Sequence, residues 1–118
     1  MINEKKINKE LILEIEELKD EIKIIWRGKS TEMNPGEFLN PVFTELLRKQ
    51  KALIMDFRHF EYMNSSTITP IIRILEQIKN GKEKLSLLYS KDLKWQELSF
   101  SALEIFKTND NRINILSI

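Results

Sequence analysis

Short apolar runs of strand length alternate with longer stretches of helical periodicity along most of this chain. The clearest run covers residues 52–57, six residues preceded by the charged Lys51, which is the length expected of a buried central strand. After it, Ile68, Ile71, Leu75 and Ile78 recur at three- and four-residue spacing, as on one side of a helix. Alternation of strands and helices predicts an α/β protein, a mixed sheet with helices packed against it.

The segment 10–27 is compatible with two structures. Apolar and polar residues alternate on both sides of a charged turn at residues 19–21, which favours a hairpin of two strands. Leu11, Ile15, Leu18 and Ile22 also stand at helical spacing in a Glu- and Lys-rich stretch, so a helix that starts near Lys9 is the alternative.

The remaining elements are predicted from their end signals. Asn34-Pro35-Gly36-Glu37 is typical of a helix start, with Pro41 predicted either to kink the helix or to begin its regular part. Asp92 is a candidate cap for a later helix, and strands are expected at 85–89 and 113–116. The total is about five strands and three to four helices. Residues 1–9 are polar and predicted to be a flexible N-terminus, with a single domain at 10–118.

Composition excludes several classes of function. A chain of 118 residues has room for one core. Lys plus Arg number 19 against 18 Asp plus Glu, so no concentrated basic surface predicts nucleic-acid binding. The absence of cysteine excludes disulfides and thiol catalysis. No signal peptide and no apolar stretch of ~20 residues is seen, so no membrane contact and a cytoplasmic location are expected.

Four hydroxyl residues surround the start of the predicted helix that follows residue 63. They are Ser65, Ser66, Thr67 and Thr69, and Asn64 precedes them. Pro70 lacks an N–H and is best placed in a first helical turn, which predicts a cap near Thr67 and an exposed approach at 64–66. One hydroxyl is enough to cap a helix, so the others are candidates for another role.

This part of the chain resembles a known family. Leu53-Ile54-Met55-Asp56-Phe57 and Asn64-Ser65-Ser66-Thr67-Ile68 are similar to the central strand and the Asp-Ser-Ser-Gly-Leu signature of the anti-sigma-factor antagonists, which have the STAS fold. The similarity covers roughly residues 50–116, with Asn and Thr in place of the usual Asp and Gly. Three further strings, at 28–30, 34–37 and 56–70, are similar to a bacterial group of STAS-like regulators.

The resemblance implies a non-catalytic domain that changes partners on phosphorylation. In the family a Ser/Thr protein kinase of the anti-sigma-factor type modifies the second serine of the signature, and a PP2C-type phosphatase reverses it. Ser66 is therefore the first candidate for phosphorylation. Ser65 is the second, because it matches the residue that a neighbouring branch of the family modifies, and Thr67 is the third. No catalytic residue, metal or cofactor is implied, and a downstream effector enzyme is a further partner. The residues expected to bind partners are Asn64, Ser65, Ser66, Thr67, Arg73 and Gln77.

Two other interpretations stay open. A constitutive scaffold or dimerisation domain of the same fold would use the hydroxyl cluster only as a cap, and a homodimer is open in either case. His59 and Glu61 could form an acid/base or metal pair, although one histidine and one carboxylate make a poor zinc site. Exposure discriminates between the first two: a switch needs Ser65 or Ser66 at the surface, whereas a cap would be turned inward.

Overall fold

A computed structural model describes residues 3–118 and confirms the α/β class. Seven strands form one mixed sheet, and three α-helices and a 3₁₀ helix at Ala102–Phe106 pack with it. The strands are β1 Glu4–Asn8, β2 Leu11–Glu17, β3 Glu21–Ser30, β4 Ala52–Asp56, β5 Phe60–Met63, β6 Leu85–Tyr89 and β7 Ile113–Ser117. The helices are α1 Gly36–Leu47, α2 Ser65–Lys79 and α3 Lys94–Ser101.

The strand order in the sheet is β1-β2-β3-β4-β6-β7. The first three strands are antiparallel, which confirms the predicted hairpin at 10–27, and β3, β4, β6 and β7 are parallel. The long β3 pairs with β4 over its first half and with β5 over its second half. Because α2 follows β5 directly, the helix begins at the end of β3.

One face of the sheet carries the core. Alternate residues of β2, β3, β4 and β6 are buried on this side, whereas their neighbours on the other side, such as Ile25 and Ile54, are partly exposed. Trp26 lies at the centre, with its ring 4.6 Å from that of Phe57 and 5.5 Å from that of Phe60. The helices bury their own apolar sides on this face, Leu39 and Phe43 from α1 among them.

Two strands were missed in the sequence. Residues 1–9 were expected to be loose, yet Glu4–Asn8 pairs along its length with β2, while residues 1 and 2 lie outside the described residues. The sequence of β1 is mostly charged because it is an edge strand with exposed side chains, and such strands lack an apolar pattern. β5 has four residues, of which only Phe60 is buried, too few for a recognisable period.

The helix starts differ from the predicted ones in their caps. At α1, Pro35 occupies the cap position and no side chain caps the helix, although Asn34 Nδ2 donates to Glu37 Oε1 at 3.2 Å. The helix runs unbroken through Pro41, which is exposed. At α3 the cap position is Leu93 and not Asp92. None of the helices within residues 3–118 is long and apolar enough to cross a membrane.

The backbone conformation at position 28 requires glycine. Gly28 lies in β3 where the register with β5 shifts, with a φ of 77°. A Cβ there would stand 1.9 Å from the carbonyl oxygen of Glu10, an overlap that no rotation of a side chain relieves. The string Gly28-Lys29-Ser30 therefore contains a structurally required glycine and belongs to a strand.

Candidate functional site

The candidate site is the N-terminus of α2. The cap is Asn64 rather than a residue near Thr67: its backbone is extended and its Oδ1 accepts a hydrogen bond from the Thr67 N–H at 3.1 Å. Ser65 and Ser66 are thus in the first helical turn and not in an approach to it. The predicted cap was wrong because Pro70 lies one turn further into the helix than expected. At that position it provides no backbone N–H for the carbonyl of Ser66.

Asn64 also ties the helix to the end of β3. Its backbone N–H donates to the Ser30 carbonyl at 3.0 Å and its Nδ2 donates to the Glu32 carbonyl at 2.8 Å. The Thr67 hydroxyl donates to Asn64 Oδ1 at 2.7 Å and lies 2.7 Å from the Ser30 hydroxyl. Asn64 therefore uses its donor and its acceptor at once, and the cap is complete without either serine.

Thr67 is fully buried in this network, with 0% of its surface exposed. A kinase needs access to a hydroxyl, and a partner needs access to a side chain. Thr67 is therefore withdrawn both as the third phosphorylation candidate and as a partner-binding residue. Its hydroxyl has a structural role, which any phosphate would destroy.

Ser65 and Ser66 are exposed, and neither makes a side-chain hydrogen bond within residues 3–118. Consecutive helical residues are turned by about 100°, so the two serines look in different directions. Ser65 lies beside a depression of about 350 Å³ that Met63, Ile68 and Ser99 also line. Ser66 shares its side of α2 with Arg73, seven residues further on, and with Gln77 after another four.

Arg73 and Gln77 are both exposed, as a partner-binding role requires. They line a groove of about 140 Å³ between α2 and α1, across from Asn40 and Thr44. The structure thus brings Ser66, Arg73 and Gln77 to one side of the molecule and separates Ser65 from them. Asn64 is half-buried and committed to the cap.

The carboxylate at the end of β4, that of Asp56, is already engaged in an ion pair. Burial of Asp56 by itself raises the pKa of that carboxyl, but hydrogen bonds and charge from Arg58, with Lys23 at 4.0 Å, outweigh burial and the pKa is lowered. Arg58 Nη2 lies 2.8 Å from Asp56 Oδ2 and its Nε donates to Oδ1 at 2.9 Å, so the carboxylate is occupied. His59 and Glu61 are exposed, and residues 3–118 contain no cluster of three potential metal ligands.

Two residues that shape the site, Gln96 and Ser30, were not found from the sequence. Gln96 is buried, and its Nε2 donates to the carbonyls of Phe57 at 2.6 Å and Phe60 at 2.9 Å. This fixes the turn that leads into β5 and on to α2. Ser30 is the buried neighbour of the Thr67 hydroxyl. Both contacts join residues more than thirty positions apart, so no local pattern could have indicated them.

The chain was compared with known proteins. No protein-family model matches it, and no curated protein matches it either.

Proposed function

We propose that this chain is a non-catalytic regulatory domain of the STAS-like, anti-sigma-factor-antagonist type, which changes partners when the first turn of α2 is phosphorylated. The main observation in support of the proposal is that the residues of segment 64–67 have different roles. Asn64 and Thr67 complete the cap, while Ser65 and Ser66 are exposed and have no bond to lose. A hydroxyl kept at a helix start without a capping role is available for modification.

The two departures from the family signature support this proposal, because both have structural reasons. Asn64 stands where the family has Asp, and its Nδ2 donates to the Glu32 carbonyl, which a carboxylate could not do. Thr67 stands where the family has Gly, and its hydroxyl is buried against Ser30 and Asn64. Neither change touches the exposed hydroxyls.

Ser66 is the first candidate for the phosphorylated residue and Ser65 the second. Ser66 matches the second serine of the signature and shares a side of α2 with Arg73 and Gln77. Ser65 lies next to the depression lined by Met63 and Ile68, where a phosphate would oppose an apolar partner contact.

The switch follows from the charge that a phosphate adds, roughly −1.5 to −2 at neutral pH. At a helix N-terminus free N–H groups and the helix dipole favour that charge, so the domain tolerates it. Covered by a partner, the same charge is stripped of water and repels nearby carboxylates. A loss of ~3 kcal/mol of binding free energy would weaken the complex about a hundredfold. The expected partners are an anti-sigma-type Ser/Thr kinase, a PP2C-type phosphatase and an effector enzyme.

The test is phosphorylation of the purified chain. We would incubate it with ATP and candidate kinases of the anti-sigma type, then locate phosphate by intact mass and peptide mapping. The variants are Ser65→Ala and Ser66→Ala, and the matched control is Thr69→Ala, an exposed hydroxyl one turn further along α2. The expected result is one phosphate that is lost in one of the two serine variants, Ser66→Ala first among them, and retained in the other and in the Thr69 control.

The alternative is a constitutive scaffold or dimerisation domain of the same fold. A chain that stays unmodified in cells and with every candidate kinase, or one modified outside residues 65 and 66, would overturn the switch and favour the scaffold.

A further inference from the structure

The groove between α1 and α2 has a mixed lining of polar and apolar side chains. Its walls continue onto the exposed side of α1 as a second depression of about 580 Å³, which shares Asn40 and Thr44 with the groove. The residues that add to this surface are Phe43, Pro70, Arg73, Ile74 and Gln77 in the groove, and Pro41, Glu45 and Arg48 in the depression.

The arginines of this surface have no anionic partner. The chain has five arginines, and three of them form ion pairs: Arg27 with Glu14, Arg58 with Asp56 and Arg112 with Asp110. The other two are Arg48 and Arg73, and within residues 3–118 neither guanidinium pairs with a carboxylate. Both unpaired arginines therefore belong to this one continuous surface.

The other polar groups of the surface are consistent with an anionic occupant. The side-chain amides of Asn40 and Gln77 make no hydrogen bond within residues 3–118, so their N–H groups are available. Glu45 is the one acidic residue of the lining, and its carboxylate lies 3.6 Å from Lys6 Nζ, which is also 3.6 Å from the carboxylate of Glu4. The surface thus offers two guanidinium groups and two amide donors.

We propose that this surface binds an acidic segment of the partner protein, whose Glu or Asp side chains pair with Arg48 and Arg73. Guanidinium groups bind carboxylates through two parallel hydrogen bonds, which gives both attraction and orientation. A single small anion does not fit the arrangement, because Arg48 and Arg73 line adjoining depressions that have only two residues in common. An extended acidic peptide reaches both. The inference rests on the proposed function, since it names the chemistry of the partner that the switch releases.

The position of Ser66 gives the phosphate a way to act on this segment. Ser66 lies seven residues before Arg73 on the same side of α2, a separation along the helix axis of about 10 Å. That separation is close to the distance over which salt screens charge, roughly 8–10 Å at physiological ionic strength. A phosphate on Ser66 therefore repels the bound acidic segment through space, and the effect weakens as salt increases.

The experiment measures binding of a fluorescein-labelled peptide of alternating Glu and Ala to the unmodified chain by fluorescence anisotropy. The control peptide has Gln in place of Glu. The test variants are Arg48→Gln and Arg73→Gln, and the matched control is Lys94→Gln, which removes one exposed positive charge from the start of α3. We expect each arginine variant to weaken binding about tenfold, as for the loss of ~1.4 kcal/mol. The Lys94 variant should bind like the parent.

Amide chemical shifts provide the map: the Glu peptide should perturb α1 and α2 and leave β7 unchanged. Equal affinity for the Glu and Gln peptides, or equal weakening by Lys94→Gln and the arginine variants, would overturn the proposed surface. A second arm uses protein with phosphoserine encoded at position 66, which should bind the Glu peptide more weakly at low salt. Unchanged binding would overturn the coupling to Ser66.

Failure of this inference and failure of the proposed function are separable. Peptide binding is measured on unmodified protein and needs no kinase, whereas phosphorylation by a kinase needs no acidic peptide. Phosphorylation of Ser65 or Ser66 without peptide binding would overturn the proposed binding surface but not the proposed phosphorylation switch.

Discussion

Asn64 is the residue on which the candidate site most depends. Its side chain accepts hydrogen bonds from the N–H and the hydroxyl of Thr67 and donates one to the carbonyl of Glu32. Ser65 and Ser66 stand next to it in the sequence and satisfy nothing. Asn64 thus stabilises the start of α2, whereas the side chains of Ser65 and Ser66 do not. Substitutions at these positions can separate the two roles.

We expect Asn64→Ala to lower the free energy of unfolding by ~2 kcal/mol, because a cap is lost and buried partners are left unsatisfied. Ser65→Ala and Ser66→Ala should each stay within about 0.5 kcal/mol of the parent. Urea denaturation followed by circular dichroism measures all three. A Ser66 variant as destabilised as the Asn64 variant would show that the serine contributes to the cap.

Glu17 offers a second test at the residue scale. Its two carboxylate oxygens each lie 2.8 Å from a lysine Nζ, one of Lys49 and one of Lys51. These hydrogen bonds lower the pKa of Glu17 from 4.5 to about 2. The native state therefore holds this proton less tightly than the unfolded chain does. The resulting stabilisation is present above pH 4.5 and is lost as the pH falls towards 2.

Because Glu17 is partly exposed, we expect the shift to be clearer in its titration than in stability. The carboxyl carbon signal of Glu17, followed by NMR against pH, should have its midpoint near 2. Lys49→Met and Lys51→Met should each raise that midpoint, and Lys84→Met should not. A midpoint at the ordinary value in the parent would contradict the ion pairs.

At the scale of elements, α2 is tied at both ends to segments that are distant in sequence. The N-terminus is tied to the end of β3 through Asn64. At the C-terminus the guanidinium of Arg112 donates to the carbonyls of Ile78 at 2.9 Å and Lys79 at 3.0 Å. It also reaches the Glu83 carbonyl at 3.2 Å, which joins α2 to the loop before β6.

We expect Arg112→Gln to lower the free energy of unfolding by about 2 kcal/mol, since hydrogen bonds from a charged donor contribute roughly 1.5–3 kcal/mol. The matched control is Arg73→Gln on the exposed side of α2, which should have little effect on stability. Hydrogen exchange should show faster exchange in the last turn of α2 in the Arg112 variant. Equal stability of the two variants would rule out a stabilising role of Arg112 at the C-terminus of α2.

At the scale of the whole molecule, the proposed switch requires a fold that does not respond to its own phosphate. Ser65 and Ser66 in the first turn of α2 are exposed, and neither serine enters the core. Encoded phosphoserine at position 66 should leave the melting temperature unchanged or raise it by a few degrees, because a negative charge at a helix N-terminus contributes typically 0.3–1 kcal/mol, here taken as about 0.5 kcal/mol.

Calorimetry and amide chemical shifts measure this prediction, with phosphoserine at position 69, beyond the first turn, as the control. Shift changes should be confined to the start of α2 and its neighbours. A large fall in melting temperature on phosphorylation would mean that the switch works by unfolding the domain and not by repelling its partner.

The sequence by itself determined the α/β class, the three helices and the run of β4, and it favoured a hairpin at 10–27 over a helix, because each element leaves a periodic pattern within about a dozen residues. It also singled out, as a group, Asn64 and the hydroxyl residues Ser65, Ser66, Thr67 and Thr69. β1 and β5 escaped because an exposed edge strand and a four-residue strand have no such pattern.

Only the tertiary structure decided the roles within that group. Thr67 is buried because Ser30 and Asn64 meet it across the end of β3, and the serines lie in the helix itself because α2 begins at Ser65, one turn earlier than Pro70 suggested. The groove with Arg48 and Arg73 likewise exists only where two helices distant in sequence pack side by side. Burial and pairing depend on long-range contacts, and local periodicity carries no information about them.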